Sequence, residues 1–488
     1  MPAVVQAGGF EYPGAGARSL GRGGAYVART DDPLSMLYNP AQLAALPDPQ
    51  ASVDLNWAMY EYCQTRRWEE GGEDRVGPTV CNDATALPVP NVGFATRLAD
   101  RFGFGLGLIG PTAVNRLAFP NEEGTVYDPS SDALVPAPTR YSLVERDVLL
   151  LFPSVGVGVG VTPWLRFGLT FGWGLAHVGF TTTASALGGN DASNDIVTSL
   201  EGSDPFVPRI IASVHAEPMP GLDFGLTFMW TDDIKANGEL DMRFGEGIEE
   251  TLQALEPDAE VPESLTVENS RIESPQPWQL AFGARYGHRR DNLKDESEWG
   301  FGDRVDDKMA TEVWDIELDV VYEHTSSVDA IRVFNPSSLY IYENPDSSGV
   351  SVPVPSEIAL DHSWQDQVSV RLGGDYNAVP NTLALRGGLS FETKGVPDDR
   401  NQLDFRPAQR FGLHAGLTVR INRFDLSLSY AHFFEQTVRN RGTGALEQTV
   451  GSVEIDGDPQ ELAAPVVVNN GTFTSNYDVL ALGLDYHF

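Results

Sequence analysis

Apolar and polar side chains alternate along most of this chain with a period of two, interrupted by connections that are mostly short and long by turns. That pattern constrains the fold more than any other feature. Val53, Leu55, Trp57 and Met59 alternate with Asp54, Asn56 and Ala58, which puts the two sets on opposite faces of a strand. Leu165, Phe167, Leu169, Phe171 and Trp173 repeat the pattern against Arg166, Gly168, Thr170 and Gly172. The period predicts fourteen strands, near 53–59, 91–99, 102–109, 141–161, 165–181, 207–216, 222–231, 271–286, 312–324, 364–376, 382–393, 409–420, 424–436 and 475–488. Short turns at 100–101, 162–163, 217–221, 377–381 and 421–423 separate long loops at 182–205, 232–270, 326–361 and 437–474.

An even strand count with short turns at one end and long loops at the other is the pattern of an all-β, 14-stranded antiparallel transmembrane β-barrel. Closure is required, because an open strand edge would leave unpaired amides in hydrocarbon. A charge on the lipid face near mid-bilayer costs about 2–4 kcal/mol. Arg166, Glu317, Asp319, Arg371, Asp375, Arg386, Arg420, Asp425 and Asp485 are therefore expected to face the lumen. A soluble β-sandwich would show the same alternation. Aromatics at the strand ends (Trp164, Trp230, Trp278, Trp314, Tyr322, Trp364, Tyr376) favour the membrane barrel, where they would form interfacial girdles. The most apolar stretch, 148–165, is broken by Pro153, a run of glycines and Pro163, so it is no spanning helix. Residues 1–7 (MPAVVQA) lack a basic n-region, and the expectation is a mature or truncated form of an exported chain, with the signal peptide absent.

Charge removes one class of partner. With 69 acidic against 33 basic residues, a net of −36, the chain should repel nucleic-acid phosphates. Two cysteines, Cys63 and Cys81, share one polar stretch. In an oxidising compartment they would close a loop of about 19 residues, worth roughly 3 kcal/mol; otherwise they are free thiols. Eight scattered histidines show no metal-ligand spacing, so no metal or cofactor is expected. Gly14, Gly16, Gly21, Gly23 and Gly24 lack the preceding strand and the Gly-Lys-Ser/Thr of a phosphate loop, and no Gly-x-Ser-x-Gly elbow occurs. Enzyme chemistry has no specific support.

The stretch from Gly8 to Ala45 is rich in glycine and turns and precedes the first strand. It is the segment available to fill the lumen, giving an N-terminal hatch at 1–48 and a barrel at 49–488. Two of the long loops carry apolar residues at helical spacing: Ile196, Val197 and Leu200 after an Asn194–Asp195 cap, and Ile248, Leu252 and Leu255. That spacing fits either ordinary loop packing or two short amphipathic helices facing one another across an apolar groove. Between Gly238 and Val267 nine acidic residues face one basic residue.

The opening segment, with Gly21-Arg22-Gly23-Gly24-Ala25, Asp31-Asp32-Pro33 and Asn39-Pro40-Ala41, resembles the hatch of the FadL-type outer-membrane transporters. The stretch 364–391 and the aromatic C-terminus are similar to that family's late strands, so the resemblance spans nearly the whole chain. It implies passive uptake of long-chain fatty acids or other hydrophobic compounds by a monomer in the outer membrane of a Gram-negative bacterium, in contact with lipid and lipopolysaccharide. It implies ligand capture by the external loops, here Ile196, Val197, Leu200, Ile248, Leu252 and Leu255. An inner site beside the hatch would involve Phe10 and Tyr12, with Asn39, Pro40 and Ala41 holding the hatch turn. Lateral release would occur at a kinked third strand, where Gly110-Pro111 stands, since proline cannot donate to a ladder. The acidic loops and the long connection 287–311 depart from the family. The rival expectations are a diffusion porin for small polar solutes and a non-transporting surface-binding protein.

Overall fold

The barrel wall follows from the alternation. In the computed structural model, fourteen antiparallel strands pair in chain order and close on themselves. They are β1 (Gln50–Glu70), β2 (Pro88–Ala99), β3 (Phe102–Ile109), β4 (Glu145–Thr162), β5 (Leu165–Ser185), β6 (Asp195–Met219) and β7 (Leu222–Thr231). The second half is β8 (Gln279–Arg289), β9 (Glu312–Glu323), β10 (Gln367–Val379), β11 (Leu383–Glu392), β12 (Arg410–Ile421), β13 (Phe424–Glu435) and β14 (Gly471–His487). Closure is made by β1 on β14, in register from Gln50 opposite His487 to Arg66 opposite Gly471. The structure describes residues 14–488 apart from 84–87, 110–113, 122–123, 129–131, 186–190, 291–299, 301–304, 306, 337–338, 344–349, 406, 448–451, 456–457 and 462–466.

The wall is polar inside and apolar outside. On β9, Ile316 and Leu318 are 48% and 45% exposed, while the intervening Asp315, Glu317 and Asp319 are buried. On β14, Leu482 and Leu484 point out, and Val479, Ala481 and Asp485 are buried. Arg166, Arg371, Asp375, Arg386 and Asp425 are buried as well, and Arg420 is ion-paired with Asp425. Fully burying a large aliphatic or aromatic side chain is worth about 1.5–3 kcal/mol. Leaving so many outward ones in water would forfeit that at every strand, and a soluble sandwich would not be built this way round. The exterior fits hydrocarbon.

Several expected boundaries move. Asn194–Leu200 was expected as a helix; only Ala192–Asn194 forms a 3-10 turn, and β6 starts at Asp195. Ile196-Val197-Thr198 is β-branched, and two partners flank it: β5 (Asp195 opposite Ser185) and the strand Ile234–Phe244 (Ile196 opposite Phe244). A doubly paired strand satisfies more backbone groups than one isolated helical turn. The second expected helix forms as α3 (Glu246–Leu255), whose N-cap is Gly245. The expected single strand 271–286 is two: Ser264–Ser274 pairs with Ile234–Phe244, and β8 starts at Gln279. Pro275 and Pro277 lie between, and neither can donate to a ladder. The expected loops at 182–205 and 232–270 are thus largely sheet that rises past the barrel.

Cys63 and Cys81 are joined in a disulfide that clips the strand Glu73–Cys81 to β1. A Glu61 carboxylate oxygen lies within 4.8 Å of both sulfurs, but the bond consumes both thiolates.

Candidate functional site

Residues 14–46 lie inside the barrel. They form α1 (Ala17–Gly21), α2 (Ser35–Tyr38) and a 3-10 helix, Pro40–Ala45, and nearly all are buried. The close fit depends on wall positions without side chains. A Cβ on Gly373 would come 1.9 Å from the Arg22 carbonyl oxygen, and one on Gly168 would come 2.1 Å from the Ala41 nitrogen. The turn after α1 needs Gly23 twice over, for its φ of +70° and because a Cβ there would sit 2.9 Å from Leu389 backbone atoms.

One side of this segment is ionic. Arg22 donates to Asp315 (2.8 Å), Asp375 (2.7 Å) and Glu317 (2.9 Å), three carboxylates from β9 and β10. Arg18 reaches Asp425 (2.7 Å) and Asp485 (3.2 Å), and Arg29 pairs with Asp315 and with Asp375 at 3.2 Å. The wall also caps bare backbone: Asp319 accepts from the Tyr26 and Val27 amides at 2.8 and 3.0 Å, and Glu317 from that of Ala28 at 2.6 Å. Breaking one partner of a buried pair costs about 3–5 kcal/mol, because the other charge is stranded.

The opposite side is apolar. Leu34, Met36, Leu43 and Leu46 form a buried cluster with Ala95 of β2 and Ile109 of β3. Between the two sides sits Asn39-Pro40-Ala41. Asn39 Nδ2 donates to the Val27 carbonyl at 2.8 Å, Pro40 starts the 3-10 helix where its missing N–H costs nothing, and the Ala41 amide donates to Ser213 Oγ at 2.9 Å. Phe10 and Tyr12 lie outside the described residues.

Gly110 and Pro111 also lie outside the described residues, but their flanks are informative. Ile109 pairs with Phe152 of β4, and the next strand, Val114–Ala118, resumes with Val114 opposite Leu149. The register against β4 therefore shifts by two residues between Ile109 and Val114. On the other edge, the described β2–β3 ladder ends at Val92 opposite Leu108. β2 continues to Pro88 on its β1 side. Ile109, the last paired residue before that register shift, belongs to the apolar cluster beside the N-terminal segment.

At the long-loop end the strands and loops enclose a vestibule with a cavity of about 440 Å³. Ile196 and Leu200 line it together with Phe180, Leu240, Met242 and Leu446. Val197 points to the other face of β6, as period two demands, into a separate cavity of about 290 Å³ beside Arg140 and Val144. Ile248 and Leu252 of α3 are buried in the apolar cluster beneath and do not line the cavity. The side chain of Leu255 is outside the described residues. Of the six residues expected to form one groove, two meet in this cavity. Sequence reasoning missed Phe180, although it sits at an alternating position in a segment whose period was legible, and it missed Leu240 and Met242 because Ile234–Phe244 was read as loop.

Beside the vestibule, His362 and Asp404 form a buried pair at 2.7 Å, walled by Trp364 and Phe405. Burial favours a neutral ring, but His362 Nε2 faces the Asp404 carboxylate and Nδ1 faces the Leu360 carbonyl at 2.8 Å. Both partners only accept, so both ring nitrogens must donate, and the His362 pKa is raised. Burial acts to raise the Asp404 pKa, but the His362 charge and hydrogen bonds outweigh it and hold it below the usual carboxylate value.

Fold and site together define a membrane-spanning β-barrel whose lumen is filled by its own N-terminal segment beneath an apolar external vestibule. The chain has the FadL-type fold. A Pseudomonas aeruginosa FadL homologue superposes with a TM-score of 0.68 at 14% identity, covering 99% of this chain and 100% of that one. The P. putida toluene transporter TodX gives 0.61 at 12% identity (98% and 99% covered), and the Ralstonia pickettii toluene transporter TbuX 0.58 at 12% (98% and 99%). No protein-family model matches the sequence, and no curated protein matches it significantly.

Proposed function

We propose that this chain is an outer-membrane channel for passive uptake of hydrophobic compounds, long-chain fatty acids among the candidates, and that it performs no covalent chemistry. Residues 1–48 act as the hatch and 49–488 as the barrel. A hydrophobic solute enters the vestibule between Ile196, Leu200 and their neighbours. It passes down the side where Leu34, Met36, Leu43 and Leu46 face Ala95 and Ile109, and leaves sideways at Gly110-Pro111 into the bilayer. Asn39 and Pro40 keep the hatch turn in place. The observation that carries this reading is the two-sided hatch: charges fasten it to one wall, and a buried apolar cluster meets the wall where the ladder against β4 changes register between Ile109 and Val114.

The likeness in fold to a FadL homologue and to toluene transporters supports the same class of cargo. A filled lumen speaks against a diffusion porin, since small polar solutes need a continuous aqueous path. The test is paired: steady ion conductance of the purified chain in planar bilayers, and uptake of labelled hydrophobic solutes by cells expressing it. Low conductance with uptake that a bulky substitution such as Leu200→Trp reduces is expected. High steady conductance, or uptake no faster than in cells without the protein, would overturn the proposal.

A further inference from the structure

We infer that the vestibule selects uncharged hydrophobic molecules and discriminates against carboxylates, an inference that rests on the uptake reading and narrows its cargo. The lining is mainly aliphatic, with Phe180, hydroxyl groups such as Thr182, Thr183 and Thr198, and few charges. Among the described residues that line it, Arg400 is the single lysine or arginine, and two carboxylates, Asp361 and Glu447, stand against it.

Arg400 already has a counter-ion. Its Nη1 donates to Asp361 Oδ2, and the same Asp361 takes a further hydrogen bond at its backbone carbonyl from Gln402 Nε2 at 2.5 Å. An incoming carboxylate would meet a cation whose charge Asp361 already offsets, and it would share Arg400 with that carboxylate. It would also bring a second negative charge towards Glu447. Beyond the rim, the 238–267 segment with its nine acids against one base repels anions during approach. A hydroxyl, ester or bare ring meets none of these costs: its apolar body is buried against Ile196, Leu200, Leu240 and Met242, and the threonine hydroxyls satisfy a single polar group.

A fused bicyclic aromatic or a medium-chain alcohol fits within a cavity of about 440 Å³.

The experiment compares three probes built on one ring system: 1-naphthalenemethanol, 1-naphthoate and 1-naphthylmethylammonium. Equilibrium dialysis uses the full chain in nanodiscs at pH 7, with binding to empty nanodiscs subtracted. The alcohol should bind at least tenfold more tightly than the carboxylate and more tightly than the ammonium. Asp361→Asn, which releases Arg400, should raise naphthoate affinity about fivefold or more and leave the alcohol within about twofold. Naphthoate or the ammonium binding as well as the alcohol, or an Asp361→Asn variant that gains nothing for naphthoate, overturns the selectivity while the uptake reading stands. Binding of none of the three overturns the uptake reading and this inference with it.

Discussion

The lumen and the vestibule of this protein are filled by opposite means. In the lumen, Arg18, Arg22 and Arg29 are buried against carboxylates of β9, β10, β13 and β14 at fixed distances. In the vestibule, aliphatic residues from several strands and loops surround a cavity whose described lining carries charge only at Arg400, Asp361 and Glu447. Buried ion pairs are directional, and losing one partner strands the other, so the lumen is a lock with few intermediate positions. Apolar contacts are individually weak and tolerant of rearrangement, so a wall built from them repacks more readily than one built from ion pairs. The difference teaches where movement is inexpensive: at the mouth and on the apolar side of the N-terminal segment, and not at the arginines.

The largest test of that contrast is Arg22→Met. It removes the cation from Asp315, Asp375 and Glu317 while roughly preserving volume. The expected loss is about 3–5 kcal/mol in urea unfolding of the detergent-solubilised barrel, together with raised ion conductance as the segment loosens. An Arg22→Met chain as stable and as closed as its parent would break the comparison at its strongest point. A smaller effect is expected across the segment. Leu43, fully buried in the cluster with Ala95 and Ile109, should cost about 2–5 kcal/mol as Leu43→Ala through the lost contacts and the cavity left behind. Its steady conductance should stay near that of the parent chain, because the ionic side still holds. Conductance rising as far as in Arg22→Met would show that the two sides of the segment do not differ.

Much of this architecture is legible in the sequence, and each exception has a physical cause. Strand number and facing followed from period two, and inward placement of Glu317, Asp319 and Asp485 followed from the cost of charge in lipid. The partners of Arg22 did not follow: Asp315 and Asp375 lie 293 and 353 residues away, and no local pattern encodes a contact made across the barrel. Ile196, Val197 and Leu200 were misread because three apolar residues at i, i+1 and i+4 fit a helix and a strand alike. The competing strand won because both its edges found partners. The vestibule was assigned to loops because acid-rich, proline-broken sequence hides short strands such as Ile234–Phe244.

The smallest expected effect sharpens the vestibule half of the contrast, because His362–Asp404 is a titratable pair beside an otherwise apolar wall. The folded-state pKa of His362 is raised, so its contribution is complete below the unfolded value of about 6.5 and is lost as pH rises through the folded value. The pKa of Asp404 is lowered, so its contribution is complete above about 3.9 and is lost only as pH falls through its depressed folded value. The pair therefore holds best from about pH 4 to 6.5 and fades on the alkaline side. A charged hydrogen bond of this kind is worth about 1.5–3 kcal/mol. Hydrogen exchange of the backbone near residues 360–363 and 402–405 should accelerate as pH is raised from 6 towards 10, beyond the intrinsic rise in exchange rate. His362→Gln keeps hydrogen-bonding capacity without a titrating charge, and it should start less protected and lose that excess acceleration. If the parent and His362→Gln chains show the same corrected pH profile, the vestibule wall is held by its apolar contacts alone, and the separation between an ionic lumen and an apolar mouth is more complete than the His362–Asp404 geometry indicates.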